Sequence, residues 1–138
     1  MRKFLMLSFL MTLIFSLSFY SFSQIKKPEE ISLSEAKEKY DKGGYLFVDA
    51  RSELVFKLGH IKGAVNLPVS EFSKMIGEFE KNHPKDTKII VYCSGSSCAS
   101  SYTLANYLIN RDYTSVEVFF GGWNSWVQAK YPIERTKN

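Results

Sequence analysis

The clearest strand signal in this sequence is Lys88-Ile89-Ile90-Val91-Tyr92, a single lysine followed by four apolar residues. A continuous apolar run of this length is typical of a strand that is buried on both faces of a parallel sheet. The run ends directly at Cys93. Because ligands of open parallel sheets bind beyond the carboxyl ends of the strands, this cysteine is predicted to lie where such folds carry their chemistry.

Before and after this stretch, strand-like and helix-like segments alternate along the chain. Further strands are predicted at residues 45–49, 64–67 and 116–120. Helices are predicted at residues 32–41, 70–82, 101–110 and 123–130, and one or two helical turns at residues 52–58. In the helix at 101–110, the spacing places Leu104, Tyr107 and Leu108 toward the core. The alternation predicts an α/β fold with a parallel sheet and helices on both of its faces.

The first helix carries its own start and stop signals. Ser32 and Glu35 have the spacing of a capping box, in which each side chain bonds the other residue's backbone N–H. Gly43 and Gly44 follow the last helical residues and are expected to end the helix.

Length and charge restrict the class of protein. The chain has 138 residues, which suffices for one ordinary domain. It carries 18 Lys and Arg against 14 Asp and Glu, and two of the basic residues, Arg2 and Lys3, belong to the N-terminal segment. The remaining chain is close to charge balance, so neither nucleic acid nor an anionic membrane is an expected partner. No cofactor is expected.

Residues 1–23 have the pattern of an export signal. Arg2 and Lys3 precede an uncharged apolar run, and the small residues Ser21 and Ser23 provide a cleavage site. The alternative is an uncleaved membrane anchor, because residues 4–22 are uncharged and long enough to span a bilayer. The pattern predicts an exported, periplasmic or other extracytoplasmic protein, with a linker at residues 24–29 and one domain at residues 30–136.

The segment after the buried strand, residues 93–100 (the cysteine loop), contains only small side chains. Such a loop can turn its backbone N–H groups toward one centre and bind an anion. The helix that follows adds the partial positive charge of its N-terminus. Both effects favour a thiolate at Cys93, which is the expected nucleophile. The alternative is an inert cysteine buried at a strand end.

Four blocks of this sequence resemble the rhodanese-like domain, in the same order along the chain: Asp49-Ala50-Arg51, residues 59–68 (Gly-His-Ile-Lys-Gly-Ala-Val-Asn-Leu-Pro), Val91-Tyr92-Cys93, and Gly121-Gly122-Trp123 with Trp126. The resemblance covers about residues 30–134 and implies a three-layer fold with a parallel sheet of about five strands. It also implies that Cys93 takes a sulfane sulfur, forms a persulfide, and passes the sulfur to a thiol or another thiophilic acceptor, which can be a small molecule or a partner protein.

In the resemblance, the amides of the cysteine loop hold the terminal sulfur. The residues concerned are Ser94, Gly95, Ser96, Ser97, Cys98, Ala99 and Ser100. Other polar residues of the matching blocks are expected to support the site: an ion pair of Asp49 with Arg51, a hydrogen-bonded His60 in a tight turn, and an Asn66 that bonds loop backbone groups. Trp123 and Trp126 are expected in the core.

The cysteine loop departs from the common family pattern, which has an arginine five positions after the cysteine. Here that position is Cys98, and a loop about two residues longer would put Ser100 in the arginine's place. No Lys or Arg lies between Cys93 and Asn110. Thiosulfate, a dianion, would lack a local counter-charge. The phosphatases and arsenate reductases related to this family need an arginine where this chain has Ala99, so their chemistry is not expected.

Cys98 allows several interpretations. It is a resolving thiol that closes a disulfide with Cys93, or merely a small residue at a helix start. A bond between them closes a small ring, so a purely structural role explains it poorly. A zinc site with His60 and His83 would have only one close ligand pair, and no metal is expected. Two further alternatives remain open: a dithiol redox protein using both cysteines, and a binding module without catalysis.

Overall fold

The computed structural model describes residues 27–136. The export signal predicted at residues 1–23 and the beginning of the predicted linker lie outside the described residues. Among the residues described, no helix is long and apolar enough to cross a membrane.

A parallel sheet forms the centre of the fold. In the described chain, the strands are β1 (Glu29–Ile31), β2 (Leu46–Asp49), β3 (His60–Ile61), β4 (Val65–Asn66), β5 (Lys88–Tyr92), β6 (Ser115–Phe119) and β7 (Ile133–Glu134). Five of them form the main sheet in the spatial order β1-β6-β5-β2-β4. Every neighbouring pair in this sheet is parallel, which confirms the predicted five-stranded parallel sheet.

Helices cover both faces of this sheet. They are α1 (Leu33–Lys42), α2 (Glu53–Leu58), α3 (Phe72–Asn82), α4 (Ser100–Ile109) and α5 (Gly122–Gln128), with a 3₁₀ turn at Val69–Glu71. Alternate side chains of β5 point to opposite faces, as strand geometry requires. Ile89 and Val91 pack against α3 and α4, whereas Ile90 and Tyr92 pack against α1 and α5. The predicted three-layer architecture is confirmed.

The predicted capping signals of α1 are present. The Ser32 hydroxyl accepts from the Glu35 amide at 3.3 Å, and the Glu35 carboxylate accepts from the Ser32 amide at 2.7 Å. Gly43 follows the helix with a φ of 74°, which glycine adopts without strain. α1 is therefore fixed at both ends by its own sequence.

The edge strand β1 was not predicted from the sequence. Its first residue, Glu29, is the last residue of the linker predicted at residues 24–29, and the other two belong to the predicted domain. Both Glu29 and Glu30 are exposed, and only Ile31 is buried. A short edge strand with a single buried side chain has no apolar pattern that distinguishes it from a polar linker.

A second, two-stranded sheet was not predicted. In it, β3 pairs antiparallel with β7, with His60 opposite Glu134 and Ile61 opposite Ile133. Strands of two residues are too short to show a periodicity of two in the sequence. This sheet fixes the C-terminal part of the described chain beside the loops that surround the candidate site.

Candidate active site

Cys93 lies at the carboxyl end of β5, the central strand of the main sheet. Its side chain is buried, with 3% exposed. The cysteine loop then leads directly into α4, whose first residue is Ser100. The structure thus places the cysteine where the sequence predicts it, between a buried strand and the N-terminus of a ten-residue helix.

The beginning of α5 fastens the cysteine loop. The carbonyl oxygen of Cys93 accepts from the Trp123 amide at 2.8 Å, and that of Ser94 accepts from the Asn124 amide at 2.9 Å. Gly122 makes this approach possible, because a Cβ on it would lie 2.5 Å from the Cys93 oxygen. Its φ of 58° also favours glycine. The sequence indicated this glycine only as part of the matching block Gly121-Gly122-Trp123.

Cys93 and Cys98 form a disulfide bond, with their Cα atoms 6.2 Å apart. The Cys98 amide donates to the Gly95 carbonyl oxygen at 3.0 Å and closes a turn within the loop. Cys98 is half-buried, whereas Cys93 is almost inaccessible. The sequence left this bond open, since spacing alone does not determine the path of the loop.

Most backbone N–H groups of the cysteine loop have no carbonyl partner. Within the described residues, the Cys98 amide is the one N–H group of the loop that donates to a backbone oxygen. The N-cap of α4, Ala99, has no side chain that caps the helix, so the first-turn amides of α4 lack a capping acceptor. Such amides can bind an anion beside Cys93 without any basic side chain. The residues whose amides are available are Ser94, Gly95, Ser96, Ser97, Ala99 and Ser100.

Asp49 and Arg51 form a buried ion pair at the end of β2. The Arg51 Nη2 donates to Asp49 Oδ2 at 2.6 Å, and its Nε donates to Oδ1 at 3.0 Å. The same Nη2 donates to the Gly59 carbonyl oxygen at 2.8 Å. The guanidinium carbon lies 4.7 Å from the centre of the Trp123 ring. The positive charge of Arg51 is therefore neutralised locally, and its side chain supports the residue that binds the Cys93 carbonyl.

Tyr92 connects this ion pair to the small sheet. Its hydroxyl accepts from the Ile61 amide at 3.1 Å, and the buried Asp49 carboxylate lies near enough to act on its pKa. Burial, together with the nearby Asp49 charge, raises the pKa of Tyr92 far above its usual value. The hydroxyl consequently stays protonated and acts as a fixed hydrogen-bonding group against the Ile61 amide.

His60 and Asn66 hold the loops around the site. His60 Nδ1 lies 2.8 Å from the Phe56 carbonyl oxygen, and Nε2 lies 3.1 Å from Glu134 Oε1. Asn66 Nδ2 donates to the carbonyl oxygens of Asp49 and Arg51 at 3.0 and 2.9 Å. The Gly63 amide and the contact with His60 hold the pKa of Glu134 below its ordinary value. His60 and Asn66 therefore serve as structural supports for the loops around the site.

The two tryptophans differ in burial. Trp126 is fully buried and its Nε1 donates to the Pro132 carbonyl oxygen at 2.9 Å, whereas Trp123 is half-buried beside Arg51. Trp126 belongs to the core, as expected. Trp123 packs against the core only in part, and its amide also holds the cysteine loop.

A cavity of about 660 Å³ lies on a neighbouring part of the same sheet edge. It is bounded by α2 and by the residues that follow β2 and β4, and no residue of the cysteine loop lines it. Leu54 and Met75 contribute exposed apolar surface to it. Sequence reasoning did not predict this cavity, which forms only when α2 and α3 are placed side by side.

The structure does not assemble the zinc ligands that the sequence allowed. Both cysteines are in the disulfide, and His60 contacts Phe56 and Glu134. In the part of the chain that the structure describes, no three His, Cys, Asp or Glu side chains are grouped to hold a metal ion.

Comparison with known proteins agrees with this geometry. The family model of the rhodanese-like domain matches residues 32–129. The thiosulfate sulfurtransferase GlpE of Haemophilus influenzae is 33% identical over 108 residues, which cover 78% of this chain and 96% of that protein.

Solved structures share the fold. The BH2092 protein of Bacillus halodurans superposes with a TM-score of 0.66 at 23% identity, covering 88% of this chain and 86% of that one. The human single-domain sulfurtransferase TSTD1 superposes with a TM-score of 0.63 at 20% identity, covering 72% of this chain and 95% of that one. By its sequence match and by its fold, this chain belongs to the rhodanese-like domain family.

Proposed function

We propose that this protein is a sulfurtransferase that carries a sulfane sulfur on Cys93. The reduced Cys93 thiolate attacks the outer sulfur of a donor R–S–S⁻, a new sulfur–sulfur bond forms, and the donor leaves as a thiolate with the bonding electron pair. A thiol acceptor then removes the terminal sulfur from the Cys93 persulfide. The observation that supports this most is the position of Cys93, which ends a central strand beneath a loop of free amides.

The electrostatics of the loop favour a singly charged donor over thiosulfate. The terminal sulfur of a persulfide is an anion, and backbone amides are suited to bind one negative charge. The Arg51 charge is neutralised by Asp49, and no Lys or Arg lies between Cys93 and Asn110. The two charges of thiosulfate would therefore meet amides only. We infer that the donor is an organic persulfide or a hydropolysulfide.

Two single-cysteine variants test the assignment. Cys98→Ser keeps only Cys93 and Cys93→Ser keeps only Cys98, so each is the matched control of the other. After incubation with an organic persulfide, Cys98→Ser should gain about 32 Da in intact mass and lose it to added thiol. Cys93→Ser should gain nothing. An equal gain in both variants, or none in Cys98→Ser, would contradict the role of Cys93 and favour an anion-binding module.

The donor inference has its own test in Ser100→Arg. This change supplies a cation at the start of α4, at the position that takes the place of the family's arginine if the loop is counted as two residues longer. A hydrogen bond to a charged group contributes about 1.5–3 kcal/mol, so turnover of thiosulfate should rise at least about tenfold. Turnover of an organic persulfide should change much less. A proportional rise for both donors would indicate that charge does not select the donor.

We further propose that the chain is exported and acts outside the cytoplasm. The support is the basic pair Arg2 and Lys3, the apolar run after it, and the small residues Ser21 and Ser23. Mass determination of the protein recovered from its native cell should give a chain that begins at Gln24 in the soluble exported fraction. A full-length chain in the membrane fraction would instead support the anchor.

A further inference from the structure

We propose that Cys98 discharges the sulfur carried on Cys93, so that this protein releases sulfide and depends on a dithiol reductant for its next cycle. The inference rests on the proposed persulfide at Cys93 and adds a second fate for its sulfur, which is release as sulfide when no thiol acceptor takes it. Its basis is the observed bond between the nucleophile itself and a second cysteine of the same loop.

A structural role does not account for this bond. The loop is already fastened by the two hydrogen bonds from α5 and by the turn between Cys98 and Gly95. The bond spans only five positions of the chain. Closing a 15-residue loop stabilises a protein by about 3 kcal/mol in the chain-entropy model, and shorter loops give less. The bond also blocks the one side chain that is placed to accept sulfur, so it belongs to a reaction cycle.

The discharge step is a thiol–disulfide exchange within the loop. The Cys98 thiolate attacks Cys93 Sγ and forms the bond that the structure contains. The bond between Cys93 Sγ and the sulfane sulfur breaks, and its electron pair leaves on that sulfur. The proton of the Cys98 thiol ends on the leaving group, which departs as HS⁻. The sulfane sulfur is reduced to sulfide, and the two cysteines are oxidised to the disulfide.

A dithiol reductant returns Cys93 and Cys98 to the thiol form. The burial of each sulfur determines which of the two it attacks. Cys93 is 3% exposed, whereas Cys98 is half-buried. The incoming thiolate therefore attacks Cys98 Sγ, and Cys93 leaves as the thiolate beside the free amides of the loop. The second thiol of the reductant then releases Cys98. Over one cycle, a sulfane sulfur and a dithiol become sulfide and a disulfide.

The test compares the reduced wild-type protein with Cys98→Ser, with no thiol present beyond the one equivalent that the donor leaves behind. Both are reduced, desalted without air, and mixed with one equivalent of an organic persulfide. The wild-type protein should release about one sulfide per chain and end about 2 Da lighter than its reduced form. Cys98→Ser should keep its added sulfur and release no sulfide until an excess of thiol is supplied. Cys98→Ala should behave like Cys98→Ser.

The outcomes separate the two proposals. A stable persulfide on both the wild-type protein and Cys98→Ser, with no sulfide, would overturn the discharge step and leave the sulfurtransferase standing. Absence of a persulfide on Cys98→Ser would overturn the proposed function first.

The point of attack by the reductant is tested separately. Brief treatment of the oxidised protein with reduced glutathione, followed by acid quenching and peptide sequencing by mass, should place the adduct on Cys98. An adduct on Cys93 would contradict attack at the more exposed sulfur.

Discussion

Replacing Gly122 with alanine perturbs the tight backbone contact between α5 and the cysteine loop. An added Cβ would lie 2.5 Å from the Cys93 carbonyl oxygen and 2.9 Å from the Gly95 nitrogen. Both atoms are backbone, so neither can rotate away. The loop or the helix must move, and the hydrogen bond from the Trp123 amide to Cys93 lengthens or breaks.

The expected loss of stability has two parts. A left-handed backbone conformation, here a φ of 58°, is unfavourable for a residue with a Cβ by roughly 1–2 kcal/mol. Forcing an extra carbon into a well-packed site adds about 1–3 kcal/mol. The free energy of unfolding should therefore fall by about 2–5 kcal/mol, which leaves a typical domain folded at low temperature.

Gly43→Ala is the matched control. Gly43 has a similar φ of 74°, but a Cβ on it would meet no atom within 4 Å. Its ψ of 178° lies in a region that is essentially restricted to glycine, so this variant should lose about 1–3 kcal/mol from the conformational part alone and keep full sulfur transfer. Urea unfolding gives the stabilities, and persulfide formation on each variant in a Cys98→Ser background gives the activity at a temperature where both are folded.

If Gly122→Ala loses no more stability than Gly43→Ala and forms the persulfide at the same rate, then α5 does not position the cysteine loop. Lower stability with an unchanged rate would mean that the contact matters for packing and not for the nucleophile.

Three further changes test other parts of the structure. Asp49→Asn leaves the Arg51 charge buried without its partner and should lower the free energy of unfolding by about 3–5 kcal/mol; a loss below about 1 kcal/mol in urea unfolding would contradict the buried ion pair. Gly77→Ala, on an open face of α3, should raise the midpoint of thermal unfolding because alanine favours a helix by about 0.5–1 kcal/mol, and a lower midpoint would show an unseen contact. Hydrogen bonds from Arg111 and Lys85 lower the pKa of Glu80 from 4.5 to about 2, so its stabilising effect is complete above pH 4.5 and is lost as the pH falls toward 2. Glu80→Gln should therefore be less stable than the wild-type protein at neutral pH and equal to it near pH 2, and a difference that does not shrink with pH would contradict the ion pair.

The sequence predicted the central sheet and the place of Cys93 because their signals are local. The apolar run of β5 ends at the cysteine, and the small residues after it leave room for a loop whose amides are free. The matching blocks around Asp49, His60 and Gly121 were enough to identify the family. Each of these signals lies within a few consecutive residues.

The features that the sequence did not predict depend on distant segments. The chain around Gly122 gives no sign that it lies against the Cys93 carbonyl, and the two residues of β7 carry no strand pattern of their own. Tyr107 was expected in the core from its spacing, but it is 40% exposed because α4 meets the sheet along Leu104 and Leu108. The disulfide depends on the path of the loop, which the spacing of its cysteines leaves free.

The fastening of the cysteine loop by α5 has a consequence for the order in which the protein is completed. The amides that bind the Cys93 and Ser94 carbonyls come from Trp123 and Asn124, about thirty positions later in the chain. A chain that emerges from its N-terminus first exposes Cys93 well before these residues are made. The contact is non-local, so it forms late and slowly compared with the helices on either side. Cys93 thus acquires its fastened loop only after Trp123 and Asn124 have been made, and a nascent or truncated chain that ends before them has the cysteine without the contacts that hold its loop.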